Sequence, residues 1–381
     1  MKHFLVLTLL TVTLAAPTRG EDVIVNAKKL YTIAGDVMEP GSVFISDGKI
    51  KAIGNKLSAD GAKTIEVDVL MPGLVDAYSQ AGLEQSAERT REITPDLTTA
   101  GKINYRDRDF VEAISSGTTT LHIVPGTDNV FAGIGSGVKT AGKDRVFNPS
   151  TGLMMTSCAD PARFNRSRSR PESIYVRQPT NRMGVVWILR STLDAAAKGS
   201  DNKGMDVLRS AMKGERPAFA VSRTHYDTLS LMDICREFKM EVPVIFGGQE
   251  SWRILDDLKE AKTSVVLGRL RPDSTNGSEQ TRLCANNAGR LHEAGIPFCF
   301  SQGDLLEQAR FAVRNGLNED AALKAITHMP AKILGLEKKV GAIAEGLDAD
   351  LVALSGDPLE FTTAVEWVMV DGIVQYKQAG E

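Results

Sequence analysis

The chain has 381 residues, 42% of them hydrophobic and 24% charged, with a formal net charge of −3. At ~150 residues per domain, that length predicts roughly two domains, or one large barrel with an appendage, and ample room for a core. The ordinary composition excludes a disordered, collagenous or coiled-coil chain, and a pI of about 6.1 argues against a nucleic-acid partner.

Residues 1–20 read as an export signal. Lys2 gives a positive start, Phe4 to Ala16 form an apolar run, and Thr18-Arg19-Gly20 offers a cleavage site. The run is short for a bilayer, and no later segment reaches ~18 uninterrupted apolar residues. The expected mature protein is therefore exported, periplasmic or extracellular, without a membrane span.

Residues 22–70 carry short strand patterns. In GSVFISDGKIKAIG the Asp47-Gly48 pair sits between apolar runs as a tight hairpin, and Asp371-Gly372 repeats the device near the other end. These two ends are expected to form one small composite β-sandwich, 21–70 with 340–381. The middle, 71–339, alternates strand-like runs with amphipathic stretches.

The runs are LVDAYS (74–79), TTTLHIV (118–124), GLMMTSC (152–158), AFAVS (218–222), VPVIFG (242–247), SVVLG (264–268) and PFCFS (297–301). YDTLSLMDICREFKM reads as a helix, and so does SWRILDDLKEA, with Trp252, Leu255 and Leu258 at helical spacing. Alternation of this kind predicts a parallel sheet covered by helices. Seven runs leave it one strand short of a TIM-like (β/α)8 barrel; the other arrangement is an open doubly wound sheet. Cys158, Cys235, Cys284 and Cys299 match neither a disulfide framework nor a Cys-x-x-Cys site and read as small buried hydrophobes.

Taken in order, ISDGKIKAIG, MPGLVDAYS, SSGTTTLHIVPG, NVFAGIGSGVKTAG, VPVIFGGQESWRI, ALKAITHMPAKILGL, VGAIAEGLDADLVALSGDPL and VMVDGIVQY resemble the amidohydrolase superfamily, in its imidazolonepropionase-like branch. The resemblance spans roughly 22–377. It implies a metal-dependent-hydrolase type of barrel with a composite β-sandwich, and hydrolysis of C–N bonds in cyclic or linear amides. It also implies zinc or a similar divalent ion held at strand ends, where the ion activates water and polarises the carbonyl.

The first ligand motif of that family is Asp-x-His-x-His. Here it reads Asp76-Ala77-Tyr78-Ser79-Gln80, with Tyr78 and Gln80 in the two histidine positions. The next ligand histidines fall at or near Val221 and on Gly247. The closing aspartate falls on Gly303, with Asp304 one place later. Valine and glycine bind no zinc, and a tyrosine–glutamine pair is a poor substitute for imidazoles. No metal cofactor is therefore expected.

Five histidines occur in the chain, and four remain beyond the export signal. His225, after the AFAVS strand, is the best candidate to overlook the pocket. His122 lies in a strand and faces either the barrel or the helix layer, while His292 and His328 read as structural. Candidate catalytic groups are Asp76, His225 and Asp304; candidate ligand-binding groups are Tyr78, Gln80, Lys139 and Glu250. The GIGSGVKT run around Lys139 lacks a Gly-Lys-Ser/Thr ending and reads as a flexible loop near the barrel mouth. Glu250 either orients a pocket group or favours the dipole of the following helix. The arginine-rich stretch 162–182 reads as a solvated crossover or as a lid for a carboxylate or phosphate ligand.

Three functions remain open. One is a ligand-binding protein without hydrolytic power, taking a small molecule that bears a carboxylate. The second is an active hydrolase with a non-standard site. The third is an assembly subunit, partnered with itself or with an active homologue.

Overall fold

The computed structural model describes residues 21–88, 90–165, 178–270 and 283–378. The export signal read in residues 1–20, and residues 166–177 of the arginine-rich stretch, lie outside the described residues. No described helix is long and apolar enough to cross a membrane.

In chain order, the first strands are β1 (Val23–Tyr31), β2 (Val37–Met38), β3 (Gly41–Ser46), β4 (Lys49–Gly54) and β5 (Lys63–Pro72). Next come β6 (Leu74–Ser79), β7 (Thr118–Ile123), β8 (Phe131–Lys139), β9 (Val146–Thr156) and β10 (Ala218–Ser222). The last are β11 (Val244–Gly247), β12 (Val265–Leu267), β13 (Phe298–Phe300), β14 (Leu351–Leu354), β15 (Val365–Val370) and β16 (Ile373–Lys377).

Both ends of the chain build one sheet, in the order β16-β15-β14-β5-β1-β3-β4 with β2 beside β1. Asp47 and Gly48 both take positive φ, 53° and 73°, as do Asp371 and Gly372 at 49° and 76°. That is the backbone a two-residue hairpin turn requires. The two turns meet: Ala349 N–H donates to Gly48 O at 2.9 Å, and Gly372 N–H donates to Ala349 O at 3.0 Å. The strands expected to form a sandwich thus belong to a single hydrogen-bonded sheet whose ends approach each other. Val25, Leu30, Val43, Ile50, Leu70, Leu351 and Met369 fill its core.

The middle of the chain forms a nearly closed barrel of eight strands, β6 through β13 in sequence order. Inside it lie Val75, Ala77, Met154, Phe219, Phe246, Val266 and Cys299, each contributing ~1.5–3 kcal/mol if its side chain is a large one fully withdrawn from water. Short apolar runs such as AFAV in β10 suit strands covered on both faces. A second apolar layer, including Leu189, Leu231, Leu258, Leu291, Leu305 and Leu323, comes from the helices outside.

The barrel departs from the expected parallel pattern in one place. β8 pairs antiparallel with both β7 and β9, whereas β9 to β13 run parallel. This is the eighth strand, and it contains the GIGSGVKT run read as a loop, all but its last residue, Thr140. Its glycines hide the alternation that marks a strand, and packing requires one of them: a Cβ on Gly135 would lie 2.5 Å from His122 Nε2 and 2.9 Å from Thr151 Oγ1. The pairing of Lys139 with Thr120, near the start of β7, carries Lys139 away from the mouth.

Candidate functional site

A cavity of about 810 Å³ opens across the C-terminal ends of β6, β10, β11, β12 and β13. Asp76, Tyr78 and Gln80 line it from β6, Arg223 from β10, Gln249 from β11, Arg269 from β12, and Gln302 and Asp304 from β13. It extends along the helix Arg108–Ser115, where Asp109 and Glu112 face it.

Asp76 is buried and bridges the seam between the first and last barrel strands. Its carboxylate accepts Tyr78 N–H at 2.9 Å and Gln302 N–H at 3.2 and 3.3 Å. Burial pushes its pKa up to about 7 against the pull of those two N–H donors. Gln302 sits at φ 70°, a left-handed conformation uncommon for a residue with a side chain.

Tyr78 is buried edge-on against Phe246, ring centroids 5.3 Å apart. Burial raises the pKa of its phenol, so it stays protonated across the physiological range. Gln80 Nε2 lies 3.5 Å from the Tyr78 hydroxyl. Beside them, Arg223 grips Asp160 from two donors, Nε to both carboxylate oxygens at 3.1 Å and Nη2 to Oδ2 at 2.6 Å. Burial alone would raise the Asp160 carboxyl, but the guanidinium holds it below its ordinary range.

The other candidates are placed as follows. His225 opens the helix His225–Phe238, which Thr224 and Asp227 cap reciprocally. Its Nδ1 lies 2.5 Å from Glu250 Oε2, so Glu250 orients His225; neither is among the residues that line the cavity. Asp304 caps the helix Leu305–Arg314 through Glu307 N–H at 3.0 Å, with its side chain at the cavity wall.

Lys139, expected at the mouth, is instead buried (1% exposed) at the junction of barrel and terminal sheet. Its ammonium lies 2.9 Å from Asp348, 2.6 Å from Asp350 and 3.4 Å from Asp371, and it does not line the cavity. Those carboxylates raise its pKa against the opposing effect of burial.

His122 is fully buried among the barrel side chains. Nδ1 is 2.9 Å from Ala77 O, which only accepts, so Nδ1 carries the proton and Nε2 accepts from Thr151 Oγ1 at 2.6 Å. Burial pushes its pKa down to about 4. His292 lies exposed on the helix Asn287–Glu293, and His328 opens the helix His328–Ile333. The helix expected across SWRILDDLKEA is divided at Ile254: Trp252 lies in a 3-10 turn and Leu255 starts the helix.

Sequence reasoning missed Arg223, Gln249, Arg269 and Gln302. Each stands within two residues of a strand-like run it had identified, at the C-terminal end where a barrel places its site. That position was the available signal; residue type was not.

The amidohydrolase family profile matches residues 284–376. The amidohydrolase tasK of Hapsidospora irregularis is 24% identical over 397 residues, covering 88% of this chain and 40% of that protein. An imidazolonepropionase of Thermoplasma acidophilum is 34% identical over 110 residues, 26% of this chain and 25% of the relative. The crystal structure of an amidohydrolase from Thermotoga maritima superposes with a TM-score of 0.84 at 26% identity, over 93% of this chain and all of the other. The chain belongs to the amidohydrolase superfamily. It spans less than half the length of either sequence relative named above.

Within that superfamily a divalent ion is implied at the strand ends, and the residues here do not fit one. A protonated phenol (Tyr78), a carboxamide (Gln80), a residue at or near Val221 and a glycine (Gly247) fall where the resemblance sets the ligands. Among the described residues no group of three or more His, Cys, Asp or Glu side chains is arranged to hold a metal.

Proposed function

We propose that this chain is an exported ligand-binding protein of the amidohydrolase superfamily that has lost metal-centred C–N hydrolysis. The observation that carries the reading is the lining of the cavity at the strand ends, where amides, a phenol and guanidinium groups stand beside Asp76 and Asp304 and no imidazole is among the lining residues. Such groups recognise a small polar molecule through hydrogen bonds without activating water. Arg223, held rigid by Asp160, supports a carboxylate on that molecule, since a fixed guanidinium matches a planar anion. The composition of residues 1–20 supports export.

The test is elemental analysis of the purified mature protein after incubation with zinc and then manganese, followed by desalting. Well under one ion per chain is expected. A stoichiometric, tightly held ion would overturn the reading.

One observation favours a second reading, an active hydrolase. Asp76 is a buried carboxyl on the cavity wall with a pKa near 7, suited to exchanging a proton at neutral pH. Turnover of a cyclic amide or dipeptide that disappears in Asp76→Asn would establish it.

A further inference from the structure

The end of β11 is built with unusual care for a segment that holds no metal donor. Gly247 and Gly248 both take positive φ, 99° and 50°, so the chain turns sharply into Gln249. The turn is tied on several sides. Gly248 N–H donates to Ser222 O at 3.2 Å, and Gly268 N–H donates to Gly247 O at 3.3 Å. The buried Asn287 carboxamide donates to the carbonyls of Gly248 at 3.0 Å and Gln249 at 3.4 Å.

All of this fixes one side chain. Gln249 lines the cavity, yet its Oε1 is buried and has no hydrogen-bond partner. A buried acceptor left unpaired costs stability, and such a group in a cavity is explained when a ligand supplies the missing donor. Across the same space, a Cβ on Gly268 would lie 3.7 Å from Gln249 Nε2 and 3.4 Å from Gln302 Oε1. The bare backbone of Gly268 therefore leaves a gap flanked by the amide nitrogen of one glutamine and the amide oxygen of the other. Gln302 holds its strained backbone through the Asp76 bond, as residues at binding sites do.

We infer that Gln249 is the specificity-determining residue of the cavity, and that Asn287 is a positioning residue for it. The ligand class it selects is a small acid carrying an N–H group, donated to Gln249 Oε1, with the carboxylate on the Arg223 side of the cavity. The inference rests on the binding reading above and goes beyond it by naming the second recognition group.

The experiment uses titration calorimetry of the mature protein with N-acetyl amino acids and their N-methyl counterparts. The two sets carry the same carboxylate and differ in the N–H. The wild-type protein is expected to bind the N–H set about tenfold more tightly, the effect of one buried hydrogen bond. Gln249→Met, close in shape and without the amide, is expected to bind the N–H set about tenfold more weakly and to lose the discrimination. Equal affinities for the two sets in the wild type would overturn the role of Gln249 and leave the binding reading standing. No binding of either set would overturn both. The wild-type comparison needs no variant, so the test stands even where Gln249→Met fails to fold.

Discussion

The main-chain N–H of Gln302 lies 3.2 Å from Oδ1 of Asp76, across the seam where the last barrel strand meets the first. The barrel's hydrogen-bonded ladder runs from β6 to β13 without a ladder between those two. A side-chain carboxylate therefore spans the gap, and the same group stands on the cavity wall. Closure of the fold and chemistry of the pocket share one residue.

Asp76 gives the protein a pH dependence of definite sign. Its pKa rises from 3.8 to about 7 on folding, so between those values the folded chain holds a proton that the unfolded chain has lost. Stability from this group is full below pH ~4 and is lost as pH rises to about 7, by up to ~1.4 kcal/mol per pH unit. Asp76→Asn is expected to remove that decline. Urea unfolding at pH 5 and pH 8 checks it: the variant should gain on the wild type between the two.

His122 acts in the opposite sense. Its pKa falls from 6.5 to about 4 on folding, so over that range the unfolded chain binds the extra proton. Stability from His122 is full above pH ~6.5 and is lost as pH falls towards 4. Across that window the slopes of Asp76 and His122 cancel. His122→Gln is expected to expose the Asp76 slope, with unfolding free energy falling as pH rises from 4 to 6.5. A flat profile in that variant would refute the cancellation.

Lys139 is expected to matter for stability and not for ligand affinity. Replacing it with methionine leaves Asp348, Asp350 and Asp371 facing one another with their shared cation gone. Breaking a buried ion pair from one side costs ~3–5 kcal/mol. Lys139→Met combined with Asp350→Asn is expected to recover part of that loss, as measured by denaturant unfolding in a double-mutant cycle. Ligand affinity should not move in either variant that still folds.

Much of the architecture was legible in local patterns. The seven strand-like runs are strands because each is short, mostly apolar or β-branched, and set off from the helical stretches between them; Asp47-Gly48 and Asp371-Gly372 announce hairpins because few other pairs tolerate two positive φ values. β8 was not legible, because Gly133, Gly135 and Gly137 erase the side-chain alternation, and the demand for Gly135 comes from His122, distant in sequence. The candidate site was legible in part: Tyr78 and Gln80, singled out by the Asp-x-His-x-His resemblance, line the cavity with Asp76. Arg223 and Gln249 were not, since the groups that hold them, Asp160 and Asn287, are brought near only by the folded barrel.

The terminal sheet has a consequence for the order of folding. β5 is flanked on one side by β1, its near neighbour, and on the other by β14, which pairs Leu351 with Pro72 and Leu354 with Val69. During synthesis the open edge of β5, with the buried side chains of Val69, Leu70 and Met71, waits for the barrel to be completed before its partner exists. Contacts so distant along the chain form slowly. A chain stopped short of Leu351 would keep its barrel sequence and still present an unpaired apolar edge, the feature most apt to recruit another chain.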